Sequence, residues 1–91
     1  MFEWDEEKNQ ENIGKHGVSF ETAALVFNDP GRMTYFDEGH SQEEDRFHCI
    51  GMVDGRVLTV RFVVRRNRIR IIGAGYWRKG KVLYHEKHGL Q

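Results

Sequence analysis

The hydrophobic pattern changes its period partway along the chain. In FETAALVF, which begins at Phe20, apolar side chains recur at the i, i+3, i+4 and i+7 spacing of a helix that buries one face. From Arg46 onward, RFHCIGMV, RVLTVRFVV and RIRII alternate between apolar and polar residues, as half-buried strands do. The pattern therefore predicts helices first and an antiparallel sheet after them.

Capping residues define two N-terminal helices. Asp5 is a suitable N-cap for a first helix that ends at Lys15-His16, and Gly17 supplies the left-handed residue past its end. Ser19 caps a second helix, which stops at the breaker Asn28-Asp29-Pro30-Gly31. The Lys15-His16-Gly17 cluster is therefore interpreted as a helix end and not as a catalytic cluster.

Two turns set the register of the sheet. Asp54-Gly55 favours a two-residue type I′ hairpin, and Asn67 in Arg66-Asn67 tolerates the positive φ of a second one. Both registers place the same apolar residues on one face: Phe47, Cys49, Leu58, Val60, Phe62, Val64, Ile69 and Ile71. With a short strand over residues 33–38, the prediction is a single α+β domain over residues 1–91. It has two N-terminal helices packed on a four-stranded, mainly antiparallel sheet, followed by a short C-terminal segment.

The opposite face of this sheet gathers positive charge. Alternation places there Arg46, His48, Arg61, Arg65, Arg68 and Arg70. His48 lies across from Arg61, and Arg65 lies across from Arg68, although like charges in facing positions cost stability. Arginine matches phosphate in a bidentate manner, so this face is a candidate site for a polyanion.

Two other interpretations of this face remain open. The acidic loop Glu43-Glu44-Asp45 can fold back and neutralise the arginines. Apolar residues on the same face also indicate that the C-terminal segment covers part of it: Ile50, Met52, Val57, Val63 and Ile72.

The charges of the two halves are opposite. Residues 1–45 carry 12 Asp and Glu against three Lys and Arg, whereas residues 46–91 carry 11 Lys and Arg against two acidic residues. This asymmetry suggests a face that meets a polyanion, or a fold that neutralises itself. Cys49 is the only cysteine, which excludes an intrachain disulfide and a cysteine metal cage, and MFEWDEEK lacks the features of a secretory signal. A cytoplasmic location is expected.

The C-terminal stretch GYWRKGKVLYHEKHG mixes aromatic and cationic residues. Tyr76 and Trp77, followed by Arg78 and Lys79, suit base stacking and backbone contact on single-stranded RNA. The alternative is that the rings complete the core.

Several segments in order and spacing resemble the BrnT ribonuclease toxins of type II toxin–antitoxin systems: FEWDEEKNQENIGKHGVSFETAALVF, EEDRF, IG and RIRII. The resemblance covers about residues 2–74. It implies a RelE/ParE-like fold and RNA cleavage without a metal or other cofactor, which inhibits translation. It also implies neutralisation by a cognate BrnA-like ribbon-helix-helix antitoxin. Toxin and antitoxin are expected to form a heterotetramer.

The resemblance is weaker after the last strand. Where the family has IISAR, this chain has Gly73 and Gly75 at the Ser and Arg positions, and Lys81 stands near a family Glu. The alternative function is therefore a catalytically weakened or inactive module of the same fold that binds only RNA or antitoxin.

Within the ribonuclease hypothesis, RNA supplies its own 2′-hydroxyl nucleophile, so the protein needs cations, a base and an acid. Arg46, Arg61 and Arg70 are the expected phosphate ligands, and His48, whose residue type titrates near neutral pH, is the acid–base candidate. The alternative base is Glu44, and Tyr84 is a candidate proton donor or stacking group. Arg65 and Arg68 are expected to bind RNA with the C-terminal aromatic and cationic residues. A metal-dependent hydrolase is the weakest hypothesis and would use these residues: Asp37, His40, His85 and His88.

Overall fold

The chain forms one mixed sheet with helices against both faces, in a computed structural model that describes residues 1–89. The helices are α1 (Glu6–His16), α2 (Phe20–Ala24) and α3 (Arg78–Lys87). The strands are β1 (Phe2–Glu3), β2 (Met33–Phe36), β3 (Phe47–Val53), β4 (Arg56–Arg65) and β5 (Arg68–Gly75). Their order across the sheet is β1-β5-β4-β3-β2, with β1 parallel to β5 and the other neighbours antiparallel.

The predicted N-caps of both helices and the predicted end of α1 are confirmed. The Asp5 carboxylate accepts hydrogen bonds from the Glu7 and Lys8 amides at 2.8 and 3.3 Å, and Gly17 ends α1 with φ of 69°. Ser19 caps α2 through a 3.1 Å bond from the Thr22 amide. The α2 helix is shorter than the apolar stripe predicts, because the chain tightens into a 3₁₀ turn over Leu25–Asn28.

Both hairpin registers are confirmed. Asp54 and Gly55 have φ values of 49° and 79°, and Arg66 and Asn67 have 53° and 62°, as the positive φ of these turns requires. Phe47 pairs with Phe62, and Phe62 pairs with Ile71. One bulge interrupts β4 and β5 at Arg61/Phe62, so Arg61 pairs with Gly73 instead of Ile72.

The inner face of the sheet carries the larger core. Phe20, Ala23 and Val26, from α2 and the turn after it, pack against buried residues of β3, β4 and β5. The predicted apolar face is confirmed with one exception, Val64, which is 52% exposed. Val64 lies opposite Ile69 near the Arg66-Asn67 turn, and its burial was wrongly predicted.

The sheet has a fifth strand that the sequence prediction lacks. Phe2 and Glu3 pair with Ile69 and Arg70, and the Ile69 amide donates to the Met1 carbonyl oxygen at 3.0 Å. The prediction of four mainly antiparallel strands was therefore wrong in number, and the sheet is mixed.

The C-terminal segment is the helix α3 and lies on the outer face, the side opposite α2. Gly80 has a low helix propensity but allows close packing of α3 on the sheet: a Cβ there would lie 2.1 Å from Thr59 Oγ1. A second apolar cluster fills the space between α3 and the sheet, and we call this part of the outer face the covered end. It contains Met33, Ile50 and Val57 of the strands and Leu83 and Tyr84 of α3. The rest of the outer face is the open end, defined by Arg46, His48, Arg61, Val63, Arg65, Arg68 and Arg70.

Candidate functional site

Four arginines of the open end line a groove of about 350 Å³: Arg46, Arg61, Arg65 and Arg70. Val63 lies at its base with 1% exposure and pairs with Arg70, as the hairpin registers predict. Arg68 stands across from Arg65 at the turn end of β4 and β5. The strands therefore bring the predicted arginines onto one face.

Two of these arginines are ion-paired with the acidic half of the chain. Arg65 Nε and Nη2 donate to Glu44 at 2.7 and 2.8 Å, and Arg70 Nη1 donates to Glu3 at 3.3 Å. The Arg65 hydrogen bond, partly opposed by desolvation, together with the charges of Arg65, Arg46 and Arg70, lowers the pKa of Glu44. Within residues 1–89, Arg46 and Arg61 have no carboxylate partner within 4.0 Å. The acidic loop thus neutralises part of the open end and leaves these two cations available.

Arg61 occupies space that glycine provides. A Cβ at Gly73 would lie 2.3 Å from Arg61 Nη2, and a Cβ at Gly75 would lie 2.5 Å from the Trp77 ring. The Arg61 guanidinium carbon is 5.4 Å from the centre of that ring, within the range of a cation–π interaction. The two glycines that depart from the expected pattern are therefore covered by an arginine and an indole.

His48 is held by a carboxylate that follows β2. His48 Nε2 lies 3.1 Å from Asp37 Oδ2, and His40 Nδ1 lies 3.0 Å from the same oxygen. Desolvation raises the pKa of Asp37, but the hydrogen bond and charge of His40 and the charge of His48 outweigh it, so the pKa is lowered overall. A carboxylate oxygen only accepts, so His48 Nε2 carries a proton; in the neutral ring, Nδ1 is then free to accept one. Asp37 thus fixes the tautomer that a general base requires.

The C-terminal candidates separate into two groups. Trp77 and Lys79 line a second cavity, of about 490 Å³, which His48 also lines, and Arg78 is exposed at the start of α3. Tyr76 instead packs against the inner core, with the Arg56 guanidinium 3.6 Å above its ring. Trp77 and Lys79 are therefore next to His48, whereas Tyr76 belongs to the other side of the sheet.

Tyr84 is built into the covered end. Its side chain is 6% exposed, and its hydroxyl donates to Asp29 Oδ2 at 2.5 Å. Burial, together with the Asp29 hydrogen bond and charge, raises the pKa of Tyr84 to about 12. The Met52 amide donates to the same Asp29 oxygen at 2.7 Å. These contacts give Tyr84 a structural role between α3 and the sheet.

The residues of the metal hypothesis bond to other partners. Asp37 binds the two histidines His40 and His48, and His88 Nε2 lies 2.8 Å from the Gly31 carbonyl oxygen. In the part of the chain that the structure describes, no three His, Cys, Asp or Glu side chains are grouped as metal ligands.

The model for the ribonuclease toxin BrnT of type II toxin–antitoxin systems matches residues 4–80 of the chain. The chain belongs to this family. BrnT membership supports ribonuclease activity in general and implies an antitoxin partner. A search of curated proteins finds no match to the chain. Across residues 1–89, no helix is long and apolar enough to cross a membrane.

The sequence analysis did not predict the contact of Asp37 with His48. Asp37 was considered as a metal ligand, and the structure makes it the partner of His48. Tyr35 pairs with His48, and the Asp37 amide donates to the Arg46 carbonyl oxygen at 2.8 Å, so the β2–β3 ladder brings Asp37 to the site. A long loop joins these strands, and no tight turn in the sequence fixes their register.

Proposed function

We propose that the chain is an endoribonuclease toxin that cleaves RNA at the open end without a metal ion and thereby inhibits translation. The observation that carries this proposal is His48, held by Asp37 and directly across the strands from Arg61. A base candidate thus stands beside an arginine that no carboxylate neutralises within the described residues.

In the proposed reaction, Arg46 and Arg61 bind the non-bridging oxygens of the scissile phosphate, and Arg70 supports them from the next strand. His48 Nδ1 accepts the proton of the RNA 2′-hydroxyl as the 2′-oxygen forms a bond to phosphorus. The bond from phosphorus to the 5′-oxygen breaks, and that oxygen takes a proton from water. The hydroxide that remains takes the proton from His48, which restores the neutral ring. The products are a 2′,3′-cyclic phosphate and a 5′-hydroxyl end.

The remaining candidates take supporting roles. Arg65, Arg68, Arg78 and Lys79 are proposed to contact the RNA backbone on either side of the scissile phosphate. Glu44 is assigned to Arg65 rather than to proton transfer, because the ion pair holds both of its oxygens. Tyr76 and Tyr84 are left out of the proposed site, because both pack into cores.

The test is cleavage of a defined RNA by purified protein in excess EDTA, with the ends identified by mass spectrometry. Wild type should yield 2′,3′-cyclic phosphate ends, and His48→Ala should lower the rate about 100- to 10,000-fold. His85→Ala, a histidine on α3 outside the groove, is the matched control and should retain the wild-type rate. Intact RNA with folded wild-type protein, or unchanged cleavage by His48→Ala, contradicts the proposal.

The second candidate function is a module that binds RNA or antitoxin without cleavage. The ion pairs of Arg65 with Glu44 and Arg70 with Glu3 favour a module that binds antitoxin, because they reduce the positive charge available to a phosphate. Expression in cells separates the two candidates: His48→Ala abolishes growth arrest by an enzyme and leaves growth arrest by a binding module.

The proposed partner is a BrnA-like ribbon-helix-helix antitoxin in the cytoplasm, in a two-to-two assembly. Support comes from the family, whose description places BrnT in type II toxin–antitoxin systems. Co-expression with the adjacent open reading frame, followed by light scattering of the purified complex, tests both the partner and the stoichiometry. Recovery of the toxin without a bound partner contradicts this assignment.

A further inference from the structure

The second cavity adjoins the arginine groove. It has a volume of about 490 Å³ and lies between β2 and the start of α3, within the range of small-ligand sites. Tyr35 and His48 line it, and His48 pairs with Arg61, which lines the groove. One row of cross-strand neighbours therefore runs from the wall of the cavity to the proposed phosphate site.

Three aromatic residues line this cavity: Tyr35, Phe36 and Trp77. Tyr35 is 40% exposed on the edge strand, and Trp77 is half-buried before α3. Ile50 and Leu83 add apolar surface between them. Proteins that read single-stranded RNA stack unpaired bases on such rings.

The cavity also contains a buried polar group without a partner. Thr59 is 4% exposed, and its Oγ1 atom makes no hydrogen bond in the described chain. Buried hydroxyl groups normally have a partner, and an unpaired one costs stability. Gly80 lies directly against this oxygen, so a ligand reaches it only if the first turn of α3 shifts outward.

Charged groups also line the cavity, and the Arg61–Trp77 contact lies between it and the arginine groove. Asp37, Glu38 and Lys79 line the cavity and supply acceptors and a cation. The Arg61 guanidinium is 5.4 Å from the Trp77 ring, so a phosphate on Arg61 and a base on Trp77 lie within one nucleotide of each other.

We propose that this cavity binds one nucleobase of the RNA, stacked against Trp77 and hydrogen bonded to Thr59, with the attached phosphate on Arg61. This inference rests on the proposed function and assigns its base subsite. An antitoxin side chain is the competing occupant. The geometry favours a base because the cavity adjoins a groove in which Arg46 and Arg61 have no carboxylate partner within residues 1–89, and an apolar side chain has no use for these charges.

The primary test is calorimetric titration of the full chain with the four nucleoside 3′-monophosphates and with ribose 5-phosphate, which has no base. At least one nucleotide should bind about 5- to 150-fold more tightly than ribose 5-phosphate, the range that stacking of one base gives. Equal affinity for all five ligands overturns the inference.

Three variants locate the binding. Trp77→Ala should remove the advantage of the nucleotide and leave the affinity for ribose 5-phosphate unchanged, and Tyr35→Ala should reduce that advantage while the edge strand stays folded. Val82→Ala, an exposed α3 position that does not line the cavity, is the matched control and should change neither affinity. If Trp77→Ala and Tyr35→Ala instead weaken binding of the cognate antitoxin and spare nucleotide binding, the cavity is an antitoxin site and the inference fails.

Thr59→Val tests the hydroxyl. The variant should keep or raise the melting temperature, because it removes an unpaired polar group, and should weaken nucleotide binding about 2- to 13-fold. Unchanged affinity overturns the Thr59 contact.

Cleavage in EDTA, measured on the same samples, separates the two proposals. If the protein cleaves RNA but binds nucleotides no more tightly than ribose 5-phosphate, only the base subsite is refuted. If it binds nucleotides more tightly but does not cleave RNA, only the proposed ribonuclease activity is refuted.

Discussion

The outer face of one sheet has two ends that differ in chemistry. At the covered end, Ile50 and Val57 pack beneath α3, with Tyr84 hydrogen bonded to Asp29. At the open end, the same strands present His48 and Arg61, with His48 hydrogen bonded to Asp37. Each end thus pairs a titratable ring with an aspartate. The difference lies in burial, and it separates a structural pair from a pair that can meet a ligand.

This comparison predicts that the two ends fail in different ways when mutated. Substitutions at the open end should lower RNA binding and cleavage with little change in stability. Substitutions at covered-end residues that do not line the second cavity, such as Tyr84, should lower stability and leave the chemistry of the folded protein intact.

Apart from His48→Ala, the largest expected effect is that of Arg61→Ala on the rate of cleavage. Loss of a cation that stabilises the charge of the transition state should lower the rate about 100- to 1,000-fold, measured by single-turnover cleavage of a labelled RNA. Arg56→Ala is the matched control, because Arg56 is on the same strand and stacks on Tyr76 at the inner side. Equal losses in both variants contradict a site at the open end.

Tyr84→Phe tests the covered end. Loss of the hydrogen bond to the Asp29 carboxylate should lower the free energy of unfolding by about 1.5–3 kcal/mol, measured by urea denaturation. Because the pKa of Tyr84 is raised from 10.0 to about 12 on folding, its contribution is complete below pH 10 and is lost as the pH rises towards 12. The variant should lack this alkaline loss and should cleave RNA at the wild-type rate. A cleavage defect in folded Tyr84→Phe would return Tyr84 to the active site.

Gly80→Ala tests the close contact under α3. A new Cβ would meet Thr59 Oγ1 at 2.1 Å, so α3 must shift, at a cost of about 1–3 kcal/mol. The double variant Gly80→Ala, Thr59→Ala removes the clash and should recover part of that loss, measured in a denaturation cycle. Additive losses would contradict direct contact between these residues.

Glu44→Gln has the smallest expected effect. It frees Arg65 from its ion pair, so RNA affinity should rise about two- to fivefold, measured by fluorescence anisotropy. The rate of cleavage should not decrease, because Glu44 pairs with Arg65 and takes no part in proton transfer. A large decrease in rate with unchanged affinity would make Glu44 the general base.

The sequence predicted those parts of the fold that local chemistry fixes. The Asp54-Gly55 and Arg66-Asn67 turns set two registers, and these placed His48 across from Arg61 and Arg65 across from Arg68. The C-terminal segment was also correctly expected to cover part of the outer face. Short-range signals of this kind need no knowledge of distant contacts.

The features that were missed depend on contacts between distant parts of the chain. The strand β1 has only two residues, so it is too short to show the alternation of apolar and polar residues, and it is defined by its pairing with β5. Gly80 lowers helix propensity, but packing against Thr59 decides its structure. The Asp37–His48 pair depends on the register of β2 and β3, which no tight turn sets. The sequence therefore predicted that the arginines and His48 share one face of the sheet, but it did not predict that Asp37 orients the His48 ring.

The most direct test of the account is the salt dependence of RNA binding, because contacts with phosphate release counterions. In a plot of the logarithm of the RNA association constant against the logarithm of the salt concentration, the slope should decrease in magnitude by about 0.7 for each phosphate contact that is lost on single-stranded RNA. The double variant Arg46→Ala, Arg61→Ala should therefore reduce the slope by about 1.4 relative to wild type, and Arg56→Ala should leave it unchanged. An unchanged slope in the double variant, or an equal reduction in Arg56→Ala, would contradict phosphate binding at the open end of the sheet.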